Sequence, residues 1–240
     1  PIFTEAHDFS CFLTNGLGQL LAQADGFPIH TGGAAETIKS IIETFEDIEA
    51  GDIFIANDPY LAAGAHLPDI IIAEPVYFGE DRCFFAGVRG HYIDIGGLHS
   101  GGLSPGATEI FQEGLRIPPL RLAKQGVLER DVLDLILANN REPLNVRSDF
   151  EAVIGAIQKA IEFLHTIGQT LGVKELQLYL DEVLNYGERR MRDELQKIPN
   201  GEYFSEEKME LEGGFLVSIR ARVEIRQDSC LVDFSETDQQ

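Results

Sequence analysis

Two histidine–carboxylate pairs carry the strongest chemical signal in the chain. His66-Leu67-Pro68-Asp69 sets an imidazole and a carboxylate three residues apart at the entrance to a predicted strand. His91-Tyr92-Ile93-Asp94 repeats the spacing at a strand exit. Pairs at the ends of neighbouring strands are positioned to converge. A divalent ion such as Mn²⁺, Fe²⁺ or Zn²⁺ takes imidazole nitrogen together with carboxylate oxygen. A site of two His and one or two carboxylates leaves a coordination position open for water or substrate. The His-x-x-x-His helix signature is absent, and spacing alone leaves a second reading open. His66 and His91 equally suit hydrogen-bonded histidines at strand ends, with Asp69 and Asp94 satisfying loop amides as Asx turns.

Other polar residues are weighed in the same way. Asn57-Asp58-Pro59 is turn chemistry unless the Asp58 carboxylate points inward, and Glu36 opens a predicted helix, where the macrodipole already favours an acid. Arg89 precedes His91 by two, so both project to one side of a strand. Its guanidinium there suits an anionic substrate group, or equally a structural pair with one of the forty acids. Glu113 and Arg116 suit a local salt bridge worth little. His7, His99 and His165 receive no role. The run Gly96 to Gly102 lacks the Gly-Lys-Ser/Thr ending of a P-loop, so nucleotide binding in this chain is not expected. Cys11, Cys83 and Cys230 lie far apart in apolar contexts, which points to neither a disulfide framework nor a thiolate zinc site, and to a reducing compartment.

The elements that must hold these residues follow from periodicity. Asp8 to Thr14 and Gln19 to Gln23 flank Asn15-Gly16-Leu17-Gly18, which is hairpin chemistry. Ile38, Ile41, Ile42 and Phe45 recur at helical spacing within Ala34 to Phe45. Ile53 to Ile55 reads as a buried strand, and Asp69 to Val76 and Cys83 to Val88 as two more around a Gly79-Glu80-Asp81 turn. Gly96 to Pro105 is too rich in glycine for a regular element. Helices are expected over Glu129 to Ala138, Pro143 to Leu171 and Lys174 to Gln196. Strands return at Glu202 to Leu211, Phe215 to Ile225 and Cys230 to Phe234. The expected fold class is α+β: a mixed sheet region in the N-terminal half, helical hairpins in the middle and antiparallel strands at the end.

The 240 residues, 44% hydrophobic and 25% charged, suffice for one large domain or a main domain with a small second one. A formal net charge of −21 makes nucleic acid and anionic membrane poor partners. No apolar run approaches the roughly 20 residues that span a bilayer, and no basic-then-apolar leader opens the chain, so a cytoplasmic location is expected. The start at Pro1 and the trailing Ser235 to Gln240 suggest an excised fragment.

At these residues the sequence resembles the hydantoinase B/oxoprolinase family, which includes N-methylhydantoinase and 5-oxoprolinase components and the related subunit of acetone and acetophenone carboxylases. The strings that carry the likeness are Asp8-Phe9-Ser10, Gly51-Asp52 with Asn57-Asp58-Pro59-Tyr60, His66-Leu67-Pro68-Asp69, Arg89-Gly90-His91 with Asp94-Ile95-Gly96-Gly97, and Thr108 to Pro119; Asn139 to Pro143 and Val232 to Ser235 extend it. The resemblance implies a metal held by His66, Asp69 and His91 with Glu36 as a fourth ligand, the ion being Mn²⁺ with Zn²⁺ or Fe²⁺ as alternatives. It leaves Asp58, Asp94 and Arg89 as catalytic candidates, the two acids orienting ligating imidazoles.

It further implies a fragment of the catalytic subunit of an ATP-dependent cyclic-amide hydrolase, in a hetero-oligomer whose hydantoinase A-type subunit uses the ATP. The alternatives are a ketone carboxylase subunit and a non-catalytic assembly module. Residues 1–120 would form the β-rich part bearing the metal site, 121–200 a helical region and 201–240 the start of a truncated β region. The isolated polypeptide would be inactive. Two departures bear on substrate choice: Ala63-Gly64-Ala65 stands where many members have Gly-Gly-Thr, and Tyr92 follows Gly90-His91.

Overall fold

A computed structural model describes residues 2–24, 26–102, 104, 106–211 and 213–239; Leu103 and Pro105 of the glycine-rich run lie outside them. The chain is α+β and divides into two compact units, residues 1–177 and 178–240.

Unit 1 is built on a seven-stranded sheet of β1 (Phe9–Asn15), β2 (Leu20–Gln23), β3 (Ile53–Ala56), β4 (Asp69–Phe78), β5 (Asp81–His91), β6 (Leu120–Lys124) and β7 (Val127–Leu128). Its order is β2-β1-β5-β4-β3-β6-β7, and every pairing is antiparallel. The hairpin between β1 and β2 closes on Asn15, whose Oδ1 accepts from the Leu17 and Gln19 amides at 3.1 and 2.9 Å. Gly18 there takes a φ of 83°, which a side chain would resist. Long β-branched and aromatic runs make β4 and β5 the central pair, and Gly79 at φ 69° begins the two-residue turn between them.

Side chains alternate across the sheet, so each strand serves two layers. Phe12, Phe54, Ile71, Ala73 and Phe85 point to one face, where Ala34, Ile38 and Ile41 of α2 (Ala34–Thr44) complete a buried cluster. The short α1 (Pro28–Gly32), which begins on a proline as the first turn of a helix allows, lies on this side before α2. On the opposite face runs α4 (Pro143–Leu171), burying Val146, Phe150, Val153, Ile157 and Leu164. Phe150 meets Tyr92 edge-on at 4.9 Å, and His165 reaches the Tyr77 carbonyl at 3.0 Å. The helix α3 (Arg130–Ala138), packed against α4 and β6, buries Leu133, Ile136 and Leu137. The strands β6 and β7 and helix α1 were not expected.

The helix α5 (Val173–Leu195) begins in unit 1 and continues into unit 2. Unit 2 also holds β8 (Gly201–Glu210), β9 (Leu216–Arg226) and β10 (Ser229–Asp233), an antiparallel sheet in the order β10-β9-β8. Among the described residues no helix is long and apolar enough to cross a membrane.

Candidate metal centre

The register of the central strand pair brings the two motifs together. Asp69 opens β4 and His91 closes β5, and the two are direct cross-strand partners. Opposed residues share a face, here the α1/α2 side, to which Arg89 also points. His66 arrives from the loop before β4, held around Pro68 by the Asp69 amide bonding back to the His66 carbonyl at 3.1 Å.

The polar atoms converge as a result. His66 Nε2 lies 2.7 Å from Asp69 Oδ1, His91 Nδ1 lies 3.2 Å from the same oxygen, and the two ring nitrogens are 3.3 Å apart. Both nitrogens face the same Asp69 oxygen, and whichever of them is unprotonated turns its lone pair into the shared space. Metal bonds of about 2.0–2.2 Å to N and O ligands place neighbouring donor atoms about 3.0–3.4 Å apart, which two of the three separations match and the shortest approaches. Imidazole, imidazole and carboxylate suit Mn²⁺, Fe²⁺ or Zn²⁺, and three protein ligands leave positions open. The donor set fits the ion that the sequence resemblance implies.

Exposure is graded across the three. The Asp69 side chain is 4% exposed, that of His91 14% and that of His66 34%, so the open side of the cluster is the His66 side. Burial pushes the Asp69 carboxyl upward, but hydrogen bonds from His66 and His91 and the nearby imidazole charges outweigh it and hold the group well below the usual carboxylate range.

A third histidine stands behind the carboxylate. His30 on α1 is buried, with Nε2 3.3 Å from Asp8 Oδ1 and 3.7 Å from Asp69 Oδ2, while Nδ1 lies 3.3 Å from Ser10 Oγ. Burial lowers its pKa most strongly; Asp69 and Asp8 pull it back up, and Arg89 and His66 push it further down. The Asp8 carbonyl accepts from the His91 amide at 3.0 Å, which ties the start of β1 to this corner. Sequence reasoning passed over His30. The available signals were the Asp8-Phe9-Ser10 alternation, which puts both polar residues on one strand face, and Pro28, which starts a helical turn bearing His30.

The remaining predicted residues take up other positions. Glu36 lies on the exposed first turn of α2, paired with Lys39 at 2.6 Å, and is not in the cluster. Arg89 is 1% exposed and donates to the backbone carbonyls of His30 at 3.1 Å and Ala63 at 3.5 Å. It thereby ties α1 to the loop at Ala63 behind Asp69; burial lowers its pKa against the pull of the Asp69 charge. Asp58 accepts from Arg116 at 2.7 and 3.0 Å and from the Tyr60 and Leu61 amides. Burial raises its pKa, and these bonds bring it below the ordinary value. Asp94 takes the Arg141 guanidinium at 2.9 Å and the Arg141 and Gly96 amides. Asp58 and Asp94 thus spend their oxygens on loop architecture.

Comparison with known proteins places this geometry in context. The family model for hydantoinase B/oxoprolinase matches residues 1–240. The caprolactamase subunit beta of Pseudomonas jessenii is 35% identical over 234 residues, covering 96% of this chain and 40% of that protein. The 5-oxoprolinase of Dictyostelium discoideum is 32% identical over 195 residues, 81% of this chain and 15% of that one. The crystal structure of the ATP-dependent caprolactamase from Pseudomonas jessenii superposes with a TM-score of 0.89 at 34% identity, over 94% of this chain and 39% of that chain. Nucleotide-free acetone carboxylase gives 0.88 at 20% identity, over 100% and 34%, a likeness of fold. The chain spans less than half the length of the relatives it matches.

Proposed function

The chain belongs to the hydantoinase B/oxoprolinase family, and from that premise we propose that it is part of the catalytic subunit of an ATP-dependent cyclic-amide hydrolase, working with a hydantoinase A-type subunit that uses the ATP. The convergence of His66, Asp69 and His91 is the observation that carries this reading. Two relatives are named for cyclic-amide chemistry, one of them as a subunit. The glycine-rich run Gly96 to Gly102 has no P-loop ending, in keeping with nucleotide handled elsewhere. The proposed setting is a hetero-oligomer in the cytoplasm, where the free thiols Cys11, Cys83 and Cys230 persist.

In this reading His66, Asp69 and His91 hold a divalent ion, Mn²⁺ with Zn²⁺ or Fe²⁺ as alternatives. Bound there, such an ion supplies a Lewis acid for a carbonyl oxygen and acidifies a water. Asp69 provides the fixed anionic ligand, because its contacts with His66 and His91 keep it ionised against the effect of burial, and burial keeps it immobile. His91 holds the inner wall from the strand end. The half-exposed His66 borders the side from which a small ring enters, and Arg89 braces α1 and the loop at Ala63 behind without reaching solvent.

The test uses the full-length protein purified with its A-type partner, assayed for ATP-dependent ring opening of hydantoin, 5-oxoproline and caprolactam, together with elemental analysis. Near one equivalent of transition metal is expected, with turnover falling at least about 100-fold in His66→Ala and His91→Ala. Metal-free protein with unimpaired variants would leave an assembly module. Dependence on bicarbonate and a ketone would move the assignment to the carboxylase class.

A further inference from the structure

We infer that Arg116 binds an oxyanion, a carboxylate or phosphate group, on the molecule turned over at the metal centre, with Tyr60 and Phe111 as walls of that subsite. The inference rests on the metal-site reading above and adds to it a cation that meets the substrate. Arg116 belongs to the Thr108 to Pro119 string, which supplies none of the three ligands. In a chain of forty acids and nineteen bases an anionic ligand is repelled by most of the surface, so a cation beside the site decides whether it can enter.

Three segments meet at the buried Asn57. Its Nδ2 donates to the Leu67 carbonyl at 2.7 Å and to the Leu115 carbonyl at 3.0 Å, and its Oδ1 accepts from the Ile117 amide at 2.6 Å. His66 precedes the first of those carbonyls and Arg116 follows the second, so the two side chains leave backbone segments that lie side by side. The turn that leads to His66 also fixes the guanidinium. The Asp58 carbonyl accepts from the Ala62 and Gly64 amides at 2.9 and 3.2 Å, while its buried Oδ2 takes Arg116 Nε and Nη2 at 3.0 and 2.7 Å.

That pairing uses one edge of the guanidinium. Nη1 has no hydrogen bond among the described residues and is not one of their buried atoms, and the Arg116 side chain is 28% exposed. The remaining fork of Nη1 and Nη2 hydrogens has the geometry that grips two oxygens of a carboxylate or phosphate. The ring centres of Tyr60 and Phe111 each lie 5.4 Å from the guanidinium carbon, yet the two residues stay 73% and 68% exposed. Phe111 is carried by a single 3₁₀ turn, Ile110–Gln112, which a reciprocal Glu109–Gln112 cap holds. Aromatic rings fixed beside a cation and left uncovered suit a ligand with an apolar body and a charged end.

The experiment measures equilibrium binding by isothermal titration calorimetry to the full-length protein with its A-type partner, without ATP. The probes are 5-oxoproline, its carboxylate-free counterpart 2-pyrrolidinone, and inorganic phosphate. The double variant Asp58→Asn, Arg116→Gln removes both charges together. It is expected to weaken 5-oxoproline or phosphate by about 10–100-fold and to leave 2-pyrrolidinone within about twofold. A loss confined to 5-oxoproline assigns the anionic group to the ring, and a loss confined to phosphate assigns it to a phosphoryl group derived from ATP. Phe111→Ala is expected to weaken the same probe by about 3–10-fold. Unchanged anion affinity in the double variant, an equal loss for 2-pyrrolidinone, or a wild type that binds neither anion overturns the inference. Should the double variant not fold by circular dichroism, Arg116→Lys decides, because it keeps the charge and loses the fork: anion affinity weakened about tenfold supports the subsite, and unchanged affinity refutes it. Elemental analysis separates the two readings. Metal-free wild type overturns the metal centre, whereas metal-loaded protein whose anion binding ignores Arg116 overturns the subsite alone.

Discussion

Glu74 lies in the middle of β4 on the side opposite Ile71 and Ala73, beneath the layer that contains α4, and its Oε2 is buried without a hydrogen-bond partner. Burial pushes its carboxyl from 4.5 up to about 7. In the unfolded chain the group ionises first, so between those two pH values the folded state binds more protons and stability falls as pH rises. The contribution is intact below the unfolded value of 4.5 and is lost by the time pH passes about 7. At ~1.4 kcal/mol per pH unit the full span is about 3 kcal/mol, which the partial exposure of the side chain reduces to about 2. Replacing Glu74 by Gln removes the titration while keeping the shape. Urea unfolding followed by circular dichroism at pH 4.5, 5.5, 6.5 and 7.5, on wild type and variant, isolates this one group from the other acids in the difference curve. The variant should gain about 2 kcal/mol on the wild type between the lowest and the highest of these pH values. A difference that stays flat within about 0.5 kcal/mol would refute the reasoning.

Further outcomes follow from packing. Arg116→Ala leaves the buried Asp58 carboxylate unpaired and should cost about 3 kcal/mol in urea unfolding, with part of the loss recovered in the double variant that also carries Asp58→Asn. A Cβ on Gly64 would collide with the Asn57 carbonyl, so Gly64→Ala should lower the melting temperature and, by shifting the loop two residues before His66, weaken metal uptake as well. Gly155 in α4 has open space around it; Gly155→Ala should raise stability by about 0.5–1 kcal/mol, measurable as an increase in melting temperature.

Periodicity made the larger elements readable from sequence. The 29-residue α4 has the predicted bounds, Pro143–Leu171, because a proline opens it and Gly172 stops it, with apolar residues at helical spacing between. The strand pair Asp69–Phe78 and Asp81–His91 runs a few residues longer than the expected Asp69 to Val76 and Cys83 to Val88, since Tyr77, Phe78, Asp81, Arg82 and Arg89 to His91 are carried into the ladder by their neighbours' pairing. Strands β6 and β7 escaped notice because they are five and two residues long and follow Pro118-Pro119. For the site, spacing alone left His66, Asp69 and His91 as one reading of two. Cross-strand register, which has no local signature, brings them together. His30 is further still from any local signal, since its place depends on how α1 packs against β1.

The cross-strand partnership of Asp69 and His91 has a bearing on how the chain finds its native alignment. A slip of one residue between β4 and β5 would throw one of the two to the far side of the sheet, among the apolar contacts of α4. Any ion gathered by the triad would then reward only the correct hairpin, so cation uptake would proofread strand alignment and drain misaligned forms toward the native one.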